Sequence, residues 1–172
     1  YLLAGKRRCE HLVIGITNPD PTLTRTDPAD PGRSEPGSNP LTYFERYTLV
    51  RCVMTEAGAS EDTFSVVPFP ISRSDLYGYY VPLQACFFLT IYDDWGRKKL
   101  STFQSMQLQT EILWERTPET KGISASTVRE RMISRQPWHY MVPEACAERM
   151  LAWSIPQRLR RLVAGPEQAE SD

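Results

Sequence analysis

Leu12-Val13-Ile14-Gly15-Ile16-Thr17 is a short, continuous apolar run rich in β-branched residues. With no polar residue alternating through it, the run predicts a strand covered on both faces, as in a parallel sheet. Residues 1–8 read as the last turns of a helix that leads into this strand. A helix with no capping residue ahead of its first orphan amides predicts that native residues precede Tyr1. After the strand, residues 18–40 hold Pro19, Pro21, Pro28, Pro31, Pro36 and Pro40, marking an insertion loop that is either a lid or a disordered segment. Thr42 with Glu45 three residues later forms a capping box, and Leu49, Val50, Val53, Met54 and Ala57 give the helix that follows an apolar stripe, ended by Gly58. Further strands are predicted at residues 65–69, 86–91 and 110–114, with helices at 95–106, 124–134 and from Pro143, where Cys146, Met150 and Trp153 recur at helical spacing. Strands alternating with helices imply βαβ units: an α/β fold built on a parallel sheet with helices on both faces.

The composition sets limits. The chain has 172 residues, 20 basic and 21 acidic, for a formal charge of −1, with 41% hydrophobic and 24% charged residues. This suits one globular domain over residues 1–165 with a polar tail at 166–172. A balanced charge excludes a broad nucleic-acid or membrane-surface footprint but allows a local basic pocket. No apolar run nears the roughly 20 residues that span a bilayer, and no secretory leader opens the chain. Cys9, Cys52, Cys86 and Cys146 form no CxxC pair, so they predict reduced thiols in a cytoplasmic protein and no metal site.

Ligands of open parallel sheets bind at the carboxyl ends of strands. Three stretches fall there: Gly15-Ile16-Thr17-Asn18, Tyr92-Asp93-Asp94-Trp95, and Lys121-Gly122-Ile123-Ser124-Ala125-Ser126-Thr127-Val128-Arg129. In the third, a glycine, two hydroxyls and an arginine open a helix, a combination that suits an anion. The same residues also fit plain capping, by Ser124 or by Thr127 with Glu130, or the recognition helix of a helix-turn-helix DNA binder. Asp93 and Asp94 fit a strand end as well as a base or ribose contact, and Trp95 fits either core packing or stacking on a base. His11 and His139 read as packing residues.

Taken together, several segments resemble the nucleotidylyltransferase superfamily, and within it the archaeal-type nicotinamide-nucleotide adenylyltransferases. Asn39-Pro40-Leu41-Thr42-Tyr43-Phe44-Glu45-Arg46 is similar to that family's Asn-Pro-Phe-Thr-x-x-Glu-Arg segment, and Val67-Pro68-Phe69-Pro70-Ile71 to the exit of its second strand. Ile123-Ser124-Ala125-Ser126-Thr127-Val128-Arg129 resembles its Ile-Ser-Gly-Thr-x-Ile-Arg signature, and Trp138-His139-Tyr140-Met141-Val142-Pro143 its Trp-x-x-Leu-Val-Pro turn. The family's Gly-Arg-Phe-x-Pro-x-His-x-Gly-His segment has no counterpart here, and the resemblance implies that it lies upstream of Tyr1 together with the first strand of a Rossmann-like sheet.

The implied reaction moves a nucleoside monophosphate from a triphosphate onto the phosphate of a small acceptor and releases pyrophosphate. The resemblance points to ATP and nicotinamide mononucleotide. The alternatives are CTP with a phosphonate or other phosphorylated metabolite, and a nucleotide-binding sensor without turnover. Arg129, Ser124 and Arg46 are the implied catalytic groups. Gly15, Ile16, Thr17, Asp93, Asp94, Trp95, Ile123, Ser124, Ser126 and Arg129 are the implied nucleotide contacts, and Tyr77, Tyr79 and Tyr80 face the acceptor. Mg²⁺ is expected to arrive with the triphosphate, and relatives commonly form homo-oligomers. The scheme requires the Arg129 guanidinium to face a pocket bordered by Gly15 and Asp93.

Overall fold

β1 (Leu12–Thr17) and β2 (Phe64–Phe69) pair in parallel, with Leu12 opposite Phe64 and Thr17 opposite Phe69. β3 (Phe87–Ile91) and β4 (Thr110–Glu115) form a second parallel pair. In this computed structural model, residues 1–24, 36–120 and 122–164 are described. Lys121, the centre of the proline-rich insertion and the 166–172 tail therefore lie outside the described residues. The fold is Rossmann-like, with parallel strands flanked by helices. Its strands stand as two ladders of two, where the sequence predicts one continuous sheet. β1 and β3 are not hydrogen-bonded to each other. Between them lies a cavity of about 420 Å³, lined by Leu12, Ile14 and Gly15 on one side and Phe87, Phe88 and Leu89 on the other.

α1 (Leu2–Lys6) lies over this opening: a Cβ added to Gly5 would come 3.3 Å from Phe88 and 3.6 Å from Leu12. The Tyr1 hydroxyl donates to the Phe88 carbonyl at 2.9 Å, satisfying one acceptor of β3. Two cores flank the sheets. One joins Leu12, Ile14, Met54 and Phe64 beneath α2 (Tyr43–Glu56). The other joins Phe69, Tyr77, Leu89, Phe103 and Leu108, so it spans both ladders and packs α4 (Asp94–Ser105) and α3 (Tyr77–Tyr80) against them. Pro68 sits in β2, an outer strand, where a missing amide costs no central ladder bond.

The Thr42 capping box is formed in full: the Glu45 amide donates to Thr42 Oγ1 at 3.2 Å and the Thr42 amide to Glu45 Oε2 at 2.8 Å. Gly58, with φ +81°, ends α2. Strand and helix boundaries shift from expectation by one residue, and α5 (Ala125–Ile133) falls inside 124–134. The C-terminal reading needs more correction. α6 (Glu144–Ala152) stops before Trp153, Ser154 turns into the left-handed region at φ +55°, and a separate helix α7 (Ile155–Ala164) follows. The sequence reading missed α7 and α3. A third core, Val128, Met132, Trp138, Ala147, Ile155 and Leu159, holds α5, α6 and α7 together. All four cysteines are free thiols. Among the described residues no helix is long and apolar enough to cross a membrane.

Candidate active site

A helix start follows the carboxyl end of three of the strands: α2 after β1, α4 after β3 and α5 after β4. After β1 the chain turns at Asn18, buried and at φ +49°, and α2 sends Arg46 back to that turn. Its Nη1 donates to the Thr17 carbonyl and its Nη2 to the Asn18 carbonyl, both at 2.6 Å. Its Nε is buried without a hydrogen-bond partner, and among the described residues no carboxylate pairs with the guanidinium. Burial pushes its pKa down from the ordinary arginine value, because desolvation penalises the charged form. Arg46 thus anchors α2 to the exit of β1 and brings positive charge there. Gly15 is required by packing, since a Cβ would stand 2.8 Å from the Phe69 Cβ.

After β3, Asp93 caps α4 by accepting the Gly96 amide at 2.9 Å. Gly96 lets the helix start sit against the strand: a Cβ there would be 3.2 Å from the Ile91 Cα. Asp94 is almost fully exposed and pairs with Arg97 at 3.8 Å, and Trp95 is half-buried. After β4, Gly122 at φ +75° swings the chain into α5. Ser124 caps α5: its Oγ accepts the Thr127 amide at 3.1 Å and lies 2.9 Å from Thr127 Oγ1. Arg129 Nη2 donates to Ser126 Oγ at 3.1 Å, and burial lowers its pKa while the charge of Glu130 opposes that shift. No acidic residue occupies the first turn of α5. Both capping and a cationic helix start are therefore realised at the same place.

Gly15 and Thr17 line the cavity between β1 and β3, but Asp93 and Arg129 do not. The groups at the β1 exit and those following β3 and β4 therefore do not share this cavity. Ile16 is buried, so only its backbone can meet a ligand, whereas Ile123 is exposed. Tyr77 must be corrected as an acceptor contact. It is fully buried, its ring lies 4.4 Å from Phe69 and 5.8 Å from Phe103, and its hydroxyl donates to the Ile71 carbonyl at 2.7 Å. Burial pushes its phenol up to about 12. Tyr79 is exposed and Tyr80 half-buried. His11 bridges the Asp62 carbonyl and Ser65 Oγ, and His139 stacks on Trp138, so both have structural work. Gly96 escaped the sequence reading although Asp93, three residues earlier, was the available signal.

Among the described residues, no three His, Cys, Asp or Glu side chains group to hold a metal ion. No family model matches the chain. Known proteins do. The chain is 45% identical over 160 residues to the phosphonoformate cytidylyltransferase of Streptomyces viridochromogenes, a match that covers 93% of this chain and 86% of the relative. Nicotinamide-nucleotide adenylyltransferases of Thermococcus kodakarensis and Thermococcus onnurineus are 23% and 24% identical over 135 residues, covering 78% of this chain and 70% of each relative. With parallel strands whose carboxyl ends carry an arginine-bearing helix start, and a relative this similar over nearly its whole length, the chain belongs to the nucleotidylyltransferase superfamily.

Proposed function

We propose that this protein is a cytidylyltransferase that moves CMP from CTP onto a phosphonate or phosphate oxygen of a small acid and releases pyrophosphate. The observation that carries this reading is the 45% identity to a phosphonoformate cytidylyltransferase, against 23–24% to the two adenylyltransferases. The ATP and nicotinamide mononucleotide scheme thus gives way to the CTP alternative.

In the transfer, an acceptor oxygen attacks the α-phosphorus in line, its new P–O bond forming as the bond to the β-phosphate breaks. Such a step needs alignment and positive charge more than covalent help from the protein. Arg129, Ser126 and the first amides of α5 hold the β- and γ-phosphates. Ser124 keeps that helix start in shape as its cap. Arg46 brings charge to the β1 exit, where Gly15, Ile16 and Thr17 present backbone to the nucleotide. Asp93, Asp94, Trp95 and Ile123 border the base and ribose, and Tyr79 and Tyr80 remain on the acceptor side. Mg²⁺ would ride on the triphosphate oxygens and water, which suits a site where the Asp93 carboxylate already caps α4. It would neutralise charge gathering on the pyrophosphate.

The opening between β1 and β3 fits one more parallel strand, because α1 runs into β1 as the second half of a crossover would. In this reading such a strand carries a His-x-Gly-His segment between the groups at the β1 exit and those after β3 and β4.

The test is pyrophosphate release by the full-length protein with CTP, ATP, GTP and UTP against phosphonoformate, other small phosphonates and nicotinamide mononucleotide. Release with CTP and a phosphonate acid is expected. Release confined to ATP and nicotinamide mononucleotide would restore the adenylyl reading. Thermal stabilisation by CTP with no release would make the protein a sensor.

A further inference from the structure

We infer that α7 is a strut setting the spacing of the two cationic helix starts, with Arg158 the positioning residue for Arg46; this rests on the transfer reading above. Glu45 is the one buried charged residue among the described residues. Arg158 grips it with both prongs, Nη1 donating to Oε2 at 2.7 Å and Nη2 to Oε1 at 2.8 Å, while Nη1 also donates to the Pro40 carbonyl at 3.1 Å. The same Oε2 accepts the Thr42 amide. One guanidinium therefore locks the capping box, the end of the insertion loop and the first turn of α2. A paired fork of this kind fixes direction as well as distance.

On its other side α7 is bound to α5. Leu159 and Ile155 pack against Val128 and Met132, and Arg160 Nη1 donates to the Met132 carbonyl at 2.9 Å. The two attachment points have matching places in the chain. Glu45 directly precedes Arg46, and Val128 directly precedes Arg129. A rigid ten-residue helix joins the residue before one site cation to the residue before the other. Arg158 and Arg160 of α7 thus act through Glu45 and the Met132 carbonyl.

The experiment compares Arg158→Met, Arg46→Met and the double variant of the full-length protein by steady-state pyrophosphate release with CTP, alongside amide exchange. If the strut aligns Arg46, Arg158→Met lowers kcat about tenfold while KM for CTP, set by Arg129 on α5, moves less than about threefold. In the Arg46→Met background the same change then costs less than about twofold. Residues 40–46 should exchange faster in Arg158→Met, and residues 125–133 unchanged. If Arg158→Met does not fold, Arg158→Lys keeps the charge without the fork and should show a smaller loss with the same dependence on Arg46. A loss of thermal stability with kcat unaltered, or an equal loss of kcat with and without Arg46, overturns the proposal. A wild-type protein that releases pyrophosphate from no triphosphate overturns the transfer reading instead; unchanged exchange at residues 40–46 then overturns the strut as well.

Discussion

α4 and α5 each follow a parallel strand, yet their starts differ in charge. α4 opens with the Asp93 cap and Asp94 in its first turn, so two carboxylates answer the positive end of its dipole. α5 opens with a neutral serine cap, no acid in its first turn, and Arg129 one turn in. In α4 the acidic residues are confined to the cap and first turn, with Arg97, Lys98 and Lys99 following, whereas no acid opposes a polyanion at the start of α5. A neutral group rich in donors, such as a base amino group or a ribose hydroxyl, meets the reverse preference. In the proposed transfer the phosphate tail lies at α5 and the nucleoside at α4.

Removing the cation should break this comparison most visibly. Each charge-assisted hydrogen bond is worth about 1.5–3 kcal/mol, so Arg129→Met should lower kcat/KM for CTP by about ten- to a hundredfold. Its melting temperature should stay within about 1 °C of wild type, since among the described residues its guanidinium bonds the exposed Ser126 hydroxyl. A large loss of stability instead would make Arg129 a structural group. Asp93 is tested by two variants. Asp93→Ala removes the cap and should cost about 1 kcal/mol, read as a melting shift of about 2–4 °C, whereas Asp93→Asn retains capping and should shift only the ratio of CTP to ATP use. Equal nucleotide preference in wild type and Asp93→Asn would remove α4 from base recognition.

A smaller effect separates a third helix start, that of α2, from the other two. Arg158 holds the Glu45 carboxyl below the ordinary glutamate range, with the Thr42 amide assisting and burial opposing. A depressed folded pKa contributes stability that is complete above the unfolded value, about 4.3, and is lost as pH falls through the lower folded one. Melting curves of wild type and Glu45→Gln should therefore converge on acidification below that range and stay apart at neutral pH. Curves that remain parallel down to pH 3 would deny the coupling.

The features legible in the sequence are those made by neighbours. The capping box of Thr42 and Glu45, the stop at Gly58 and the apolar run of β1 each depend on residues within a few positions, and all three are found where expected. Tyr77 shows the limit of such reading. A tyrosine-rich stretch after a strand suits ring stacking on a ligand, but Phe69 and Phe103 already cover that ring from distant elements. α7 was missed because the turn at Ser154 separates it from α6 within a stretch where periodicity alone reads as one helix. Base choice was equally illegible, since ATP and CTP share a triphosphate and the signature near Arg129 concerns that shared part.

Short-range chemistry, then, settled where α2, α4 and α5 begin and which of these starts carries a cation, because caps, turns and apolar periodicity act over three or four residues. The folded chain alone decided how the arginines are spent. Arg46 reaches back 29 residues to the Thr17 carbonyl and Arg158 reaches 113 to Glu45, while Arg129 bonds a hydroxyl on its own turn. A guanidinium in a sequence is only a charge on a flexible stem. Its partner is chosen when the core brings distant backbone within hydrogen-bonding reach, and that choice separates an arginine that holds the site together from one available to a ligand.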